Sequence, residues 1–156
     1  MMGEFSVVIN GEDYVPMSAY QDVMDKLREK QRSDASHNHQ FAEIANCWEN
    51  LPESHAGAPY AASADAFRKH GLIATGHCDV NTIDLQSRDL ALKHAPFLAD
   101  LARKAHGGYA LTVVKGSMVI CTTTHSQSYK EMGKERFEKS KSDVLEWAHC
   151  ILGVTE

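Results

Sequence analysis

The sequence holds little that would staple it together or do chemistry by a known signature. Its four cysteines, Cys47, Cys78, Cys121 and Cys150, are widely spaced. They form no C-x-x-C pair and lack the density of a disulfide scaffold, so they read as reduced, mostly buried small apolar residues rather than as a catalytic thiolate. No apolar run approaches the roughly 18 to 20 residues of a membrane span. The first residues, Met1-Met-Gly-Glu-Phe5, have neither the basic head nor the apolar core of a signal peptide. A cytoplasmic protein with no membrane partner is therefore expected. Also missing are G-x-S-x-G, the phosphate-cradling G-x-x-x-x-G-K, and G-x-G-x-x-G after a strand. His106-Gly107-Gly108 matches part of an oxyanion-hole motif, but without a nucleophile elbow it reads as a helix end. Carboxylates such as Glu43 and Glu49 read as a solvated helix face rather than an acid–base pair. The expectation is a protein that is not an enzyme and needs no cofactor.

What is present is one domain's worth of chain. The 156 residues are enough to bury roughly two-thirds of the unfolded surface. The composition, 43% hydrophobic and 24% charged, is ordinary for a protein that folds in water. No internal repeat, low-complexity tract or linker interrupts it, so residues 1–156 are read as a single domain. The net charge of −5 speaks against a protein coated in nucleic acid, but it is unevenly placed. Residues 1–66 carry 4 basic and 11 acidic side chains, a net of −7, and residues 67–156 carry 12 and 10, a net of +2. An acidic half beside a mildly basic one permits a local anion-binding face.

Along the chain, Phe5 to Ile9, Asn10-Gly11 and Glu12 to Met17 predict an N-terminal hairpin, with Asn-Gly supplying a type I′ turn and Pro16 marking an edge strand. Ser18 with Gln21 is a capping box for a helix to about Lys30. The polar stretch Gln31 to Ser36 breaks the periodicity. A second helix follows with Phe41, Ile44, Ala45 and Trp48 on one stripe, capped by Asp34 or Ser36, and it stops at Leu51-Pro52. After a loop, Ser63 caps a third helix through about Thr75 with Phe67, His70, Gly71 and Ala74 facing the core, ended by Gly76. Val80 to Leu85 predicts a strand with Ile83 and Leu85 inward. Ser87 caps a helix carrying Leu92, Phe97, Leu98 and Leu101 to about Ala105, which Pro96 should kink or divide. Tyr109 to Lys115 and Met118 to Thr124 predict a hairpin across Gly116-Ser117, a type II′ turn that pairs Val113 with Ile120 and Leu111 with Thr122. The face bearing Tyr109, Leu111, Val113, Met118 and Ile120 should pack on helices. A long helix from about Lys134 to Leu152 ends the chain, with Phe137, Val144, Ala148 and Ile151 on one stripe and Lys130, Lys134, Lys139 and Lys141 mostly elsewhere. The expected class is α+β: an N-terminal hairpin, several helices, a small and mainly antiparallel sheet, and a long C-terminal helix.

Nine histidines raise the question of a metal. The best cluster is His37-x-His39, with His55 and His77-Cys78 further on, yet structural zinc normally takes two close ligand pairs, and none occurs. His37 and His39 remain weak metal candidates. An anion site is better supplied. Arg68 and Lys69 open the exposed face of one helix, Ser126, Gln127, Ser128 and Lys130 form a turn, and Lys134 and Arg136 start the last helix. Cations and free N–H groups at such a junction hold phosphates, while Tyr129 and Trp48 are candidate surfaces for stacking bases. The competing reading has these serines capping a helix and the lysines solvating it.

Two segments resemble the NinB (Orf) family of phage recombination proteins and a related phage family of uncharacterised function. One is Ser36-His-Asn-His-Gln-Phe-Ala-Glu-Ile-Ala-Asn-Cys-Trp48 followed by Ser63 to Gly76, similar to the group's polar, Asn-rich approach to an aromatic-bearing helix. The other is Thr124 to Phe137, similar to its Ser-x-Ser, Met, then helix pattern. In order, with the strands between, they cover most of residues 36–150. The resemblance implies a phage or prophage protein that binds single-stranded DNA, works as a homodimer, and helps load or anneal strands in recombination without chemistry of its own. By position it carries Asn38, Ser126, Ser128, Met132 and Phe137, the last two as core. His37 and His39 depart from the arginine expected there, and the acidic balance lowers nonspecific affinity for DNA. The nucleic-acid-binding residues expected are thus Asn38, Arg68, Lys69, Ser126, Gln127, Ser128, Lys130, Lys134 and Arg136, with single-stranded DNA or the host's strand-binding machinery as partner. The alternatives are a protein-interaction module, such as a phage inhibitor of host defence using the acidic N-terminal half, and a metal-dependent hydrolase built from the histidines.

Overall fold

In the computed structural model the described residues are 7–9, 12–14 and 17–153, with side chains from Gln21 onward apart from Ser33. Two compact units divide the chain, residues 1–39 and 40–156. The first contains β1 (Val7–Ile9) and β2 (Glu12–Tyr14), antiparallel with Val7 opposite Tyr14 and Ile9 opposite Glu12. The hairpin is therefore present, whereas its Asn10-Gly11 turn, Pro16 and the Ser18 cap lie outside the described residues and side chains. Helix α1 runs unbroken from Met17 to Glu49. This corrects the expected break at Gln31 to Ser36 and the caps placed at Asp34 or Ser36. That stretch is polar but contains neither glycine nor proline, and polar residues of its kind each cost a helix only about half a kcal/mol or less. The true stop is chemical: Pro52 has no N–H to donate, and Asn50 Nδ2 turns back to cap the Asn46 carbonyl at 2.8 Å.

In the second unit three helices build one core layer. The end of α1, α2 (Ala64–Ala74) and α5 (Lys134–Leu152) bury Ile44, Cys47, Phe67, Leu72, Val144 and Ala148 together. Ser63 caps α2 as expected, its hydroxyl accepting from Ala66 N at 3.0 Å. The buried face of α2 is Phe67, Arg68, Gly71 and Leu72, so Ala74, expected inward, is exposed. Gly71 is required by close approach. A Cβ there would lie 2.8 Å from Trp147 Cε3 and 3.1 Å from Val144 Cγ1, so α2 and α5 touch at a distance only hydrogen permits.

Packed beside this layer is an aromatic cluster in which Tyr60 and Trp147 surround His70, with ring centroids 4.7 and 5.6 Å from the imidazole. His70 Nδ1 lies 2.7 Å from the Tyr109 hydroxyl. Burial pushes that phenol up to about 12, with Tyr60 adding to the effect, so the hydroxyl keeps its proton and donates. Burial also pushes the His70 imidazole below its ordinary 6.5. The folded state therefore prefers neutral His70, and the unfolded chain takes up the proton first as pH falls. Stability contributed by this neutral histidine is complete well above 6.5 and is lost as pH drops from there toward the lower folded value. The denaturant midpoint is expected to be lower at about pH 5.5 than at about pH 7.5, and His70→Gln should shrink that difference. An equal difference in wild type and variant would assign the effect to another group.

The second layer is a three-stranded antiparallel sheet, in the order β3 (Cys78–Asp84), β5 (Met118–Thr124), β4 (Ala110–Lys115). The predicted register holds, with Val113 opposite Ile120 and Leu111 opposite Thr122. Gly116 at φ +62 is followed by Ser117 at negative φ, the pattern of a type II′ turn. Helix α3 (Arg88–Ala105), capped by Ser87, packs on β4 and β5. The face it covers corrects the expectation: Val119, Cys121 and Val114 lie beneath it, while Val113 is 59% exposed and Leu111, Met118 and Ile120 are only half-buried. Both faces of this hairpin are apolar, so alternation alone could not choose between them. Small residues on α3 decided it. Ala91, Ala95, Leu98 and Ala102 form the contact stripe, and Leu92, Phe97 and Leu101 point to solvent. Pro96 does not divide α3, because it sits on the exposed side where a carbonyl without its partner is hydrated. Tyr109, outside β4, is buried at His70 instead. With five α-helices among the described residues, a small antiparallel sheet and a long last helix, the protein is of the α+β class.

Candidate anion-binding site

Between Ser63 and Ala74 the helical spacing sets Arg68 and Lys69 one turn beyond Asp65, and both reach back to it. Arg68 Nη2 meets Asp65 Oδ1 at 2.8 Å and Lys69 Nζ meets Oδ2 at 2.7 Å. Partial burial pushes the Asp65 carboxyl up, but the hydrogen bonds from Lys69 and Arg68 outweigh it and hold the group below its usual range. Two cations therefore share one carboxylate. They are not on the exposed face that the sequence suggested. Arg68 is only 8% exposed, and the Lys69 side chain only 13%.

Buried arginine needs partners, and the chain brings them from three other places. Gln127, in the turn after β5, accepts from Arg68 Nη1 at 2.8 Å and donates through Nε2 to Ser140 Oγ at 3.1 Å. Ser140 is fully buried on α5 and donates to the Phe137 carbonyl at 2.8 Å. The Phe41 ring, near the end of α1, lies 5.1 Å from the guanidinium carbon, within cation–π range. Arg68 Nε–H remains buried with no acceptor among the described residues. Lys69 donates to the Gly107 carbonyl just beyond α3. Gly107 adopts φ +72, a conformation that favours glycine, and a Cβ on it would come within 3.1 Å of Lys69 Nζ, so any other residue there would have to shift the ammonium.

These groups line a cavity of about 420 Å³ bounded by Phe41, Arg68, Lys69, Ala105, His106, Gly107, Thr124, His125, Ser126 and Gln127. The lining contains two cations, two imidazoles, two hydroxyls, an amide and no carboxylate. His125 Nε2 is 3.0 Å from Asp79 Oδ1, and Arg136 Nη2 reaches His125 Nδ1 at 3.4 Å. Such a surface suits an oxyanion.

Of the residues singled out from sequence, Arg68, Lys69, Ser126 and Gln127 come together here. Arg136 stands at the edge through His125. Ser128 spends its hydroxyl capping the short helix α4 (Tyr129–Met132), accepting from Glu131 N at 3.2 Å. Lys130 and Lys134 are exposed and outside the lining, as is Asn38, which belongs to the first unit. The two stacking candidates are engaged elsewhere. Trp48 Nε1 donates to the Ala61 carbonyl at 2.9 Å with the ring against the core, and Tyr129 packs edge-on to Phe137, centroids 5.9 Å apart. Met132 and Phe137 are core. Lys141, placed away from the buried stripe, is itself buried, its ammonium 4.8 Å from the Phe137 ring centre and paired with Glu138 at 2.9 Å. Sequence reading missed Phe41, Asp65, His125 and Ser140. Ser140 carried a signal, being a polar residue between Phe137 and Val144 on the apolar stripe.

Among the described residues no group of three His, Cys, Asp or Glu side chains is arranged to hold a metal. His37 is half-buried and His39 exposed on α1, His55 Nδ1 meets the Tyr60 hydroxyl at 2.6 Å, and His77 Nε2 meets Asp143 at 2.8 Å. Glu43 is bound to His149 at 3.1 Å. Cys47 and Cys121 are buried, Cys78 half-buried and Cys150 exposed, all as free thiols. Burial, then the nearby Glu43 carboxylate, push the Cys47 thiol up, away from thiolate reactivity. No described helix is long and apolar enough to cross a membrane. No family model, curated protein or solved structure matches the chain.

Proposed function

We propose that this protein is a non-catalytic, cytoplasmic phage or prophage accessory protein that binds the phosphate backbone of single-stranded DNA at the Arg68–Lys69 cavity. The carrying observation is the charge balance of that cavity: two buried cations share the single carboxylate of Asp65, and no carboxylate lines the wall. A hollow of about 420 Å³ admits one nucleotide's phosphate with part of its sugar or base, whereas a duplex would have to be met on a broad surface. Phe41, 39% exposed at the rim, offers an aromatic surface of the sort single-strand binders use. Arg136, beyond His125, adds a further cation outside the cavity. A homodimer, and the host's strand-binding machinery as a second partner, complete the reading.

The test is fluorescence anisotropy of labelled single-stranded and duplex DNA against the purified chain at two salt concentrations. Binding that prefers the single strand and weakens as salt rises is expected, since each neutralised phosphate releases counterions. Absence of binding even at low salt would remove DNA as the ligand and leave the protein-interaction reading in its place.

A further inference from the structure

The cavity is a pocket rather than a track. Its walls come from four separated pieces of chain: α2 with Arg68 and Lys69, the end of α3 with Ala105 to Gly107, the end of β5 with Thr124 to Gln127, and Phe41. A strand running along a groove leaves each phosphate as a monoanionic diester with two free oxygens. A half-open pocket walled by several pieces of chain takes a chain end more readily than a continuous strand. Charge points the same way. Arg68 and Lys69 together keep one positive charge in excess after Asp65 is counted, and the His106 imidazole also lines the wall. A terminal phosphomonoester brings roughly 1.5 to 2 negative charges and three acceptor oxygens near neutral pH, against one charge for a diester. Donors also remain for it. Arg68 has five N–H groups: Nε–H is buried, one from each terminal nitrogen is used by Gln127 and Asp65, and a second remains on each terminal nitrogen. The guanidinium is held in place by Gln127, Asp65 and Phe41, so little ordering is left for the ligand to impose.

Building on the nucleic-acid reading, we infer that the cavity takes the terminal phosphomonoester of a single strand, with Arg68 and Lys69 as the charged contacts and the Ser126 and Thr124 hydroxyls as neutral ones. The protein then recognises strand ends more strongly than internal stretches.

The experiment is competition anisotropy on the purified chain, using one labelled oligonucleotide and three unlabelled competitors of the same sequence: 5′-phosphorylated, 3′-phosphorylated and with hydroxyls at both ends. One phosphorylated form is expected to compete about tenfold or more better than the hydroxyl form, the size of one charge-assisted contact. Lys69→Gln should bring that ratio back close to one, and Arg68→Lys, which keeps the charge but loses the planar fork, should reduce it. The 5′ and 3′ competitors distinguish which end is read. Equal competition by all three, with binding intact, overturns the end-recognition inference while the single-strand reading stands. No binding by any oligonucleotide overturns both. A preference that survives unchanged in both variants moves the end-binding site out of this cavity and overturns the inference as well.

Discussion

Arg68→Met is expected to weaken single-stranded DNA binding by roughly 10- to 150-fold, because a hydrogen bond to a charged group contributes about 1.5–3 kcal/mol and each 1.4 kcal/mol is tenfold. Methionine keeps apolar bulk against Phe41 while removing the guanidinium, and it leaves no buried charge behind. Gln127 Oε1 loses its 2.8 Å donor and Asp65 keeps only Lys69. A modest loss of stability accompanies this, so binding must be measured at a temperature where circular dichroism shows the variant folded. The salt dependence should flatten at the same time, since one fewer phosphate is neutralised. Wild-type affinity and an unchanged salt slope in a folded variant would take Arg68, and with it the cavity, out of the binding surface. Lys130 and Lys134, exposed and outside the cavity lining, should show the smaller and mainly salt-dependent losses of peripheral charges.

The largest loss of stability is expected at Phe67. Its side chain is fully buried, stands 4.8 Å from the Trp147 ring centre and 5.9 Å from that of Tyr60, and joins α2 to both α5 and the end of α1. Phe67→Ala removes the transfer free energy of the ring and leaves a cavity among residues that relax only in part, a cost of about 3–5 kcal/mol. For a chain of this length that is a fall in Tm of roughly 6–20 °C, a large share of the 5–15 kcal/mol typical of a whole domain. Thermal and denaturant unfolding followed by tryptophan fluorescence would measure it directly, since Trp147 is the neighbour. A loss below about 1.5 kcal/mol would mean that the three-helix layer collapses around the vacancy and does not depend on this ring. Because Arg68 is the next residue, the same variant should also loosen the cavity, whereas Arg68→Met should leave the aromatic layer in place.

How much of this was legible beforehand differs from element to element for physical reasons. Ser63, Ser87 and the Gly116-Ser117 turn were readable because caps and tight turns are local: a hydroxyl reaches an N–H three residues away, and φ +62 at Gly116 favours glycine wherever the strands go. The continuity of α1 was not readable, since polar residues lower helix propensity by small amounts that surrounding structure overrides. Neither was the face of the β4–β5 hairpin that meets α3. Leu111 and Val113 are more apolar to the eye than Thr112 and Cys121, but the helix lies where Ala91, Ala95 and Ala102 let it come close, a matter of shape between distant segments.

For the candidate site, the residue types came from the sequence and their company did not. Arg68 and Lys69 on one helix, and Ser126 and Gln127 at a strand-to-helix junction, stood out as residue types suited to an anion, and the sequence by itself determined that the chain belongs to the α+β class. Only the tertiary structure decided that Arg68 is buried, that Gln127, 59 residues further on, holds it at 2.8 Å, that Ser140 braces Gln127 from beneath, and that Trp48 and Tyr129 serve the core instead of a ligand. Periodicity, caps and turns are encoded within a few residues of one another. The state of a charge is set by what packs around it, and for Arg68 those partners arrive from α1, the β5 turn and α5, which the linear sequence keeps far apart.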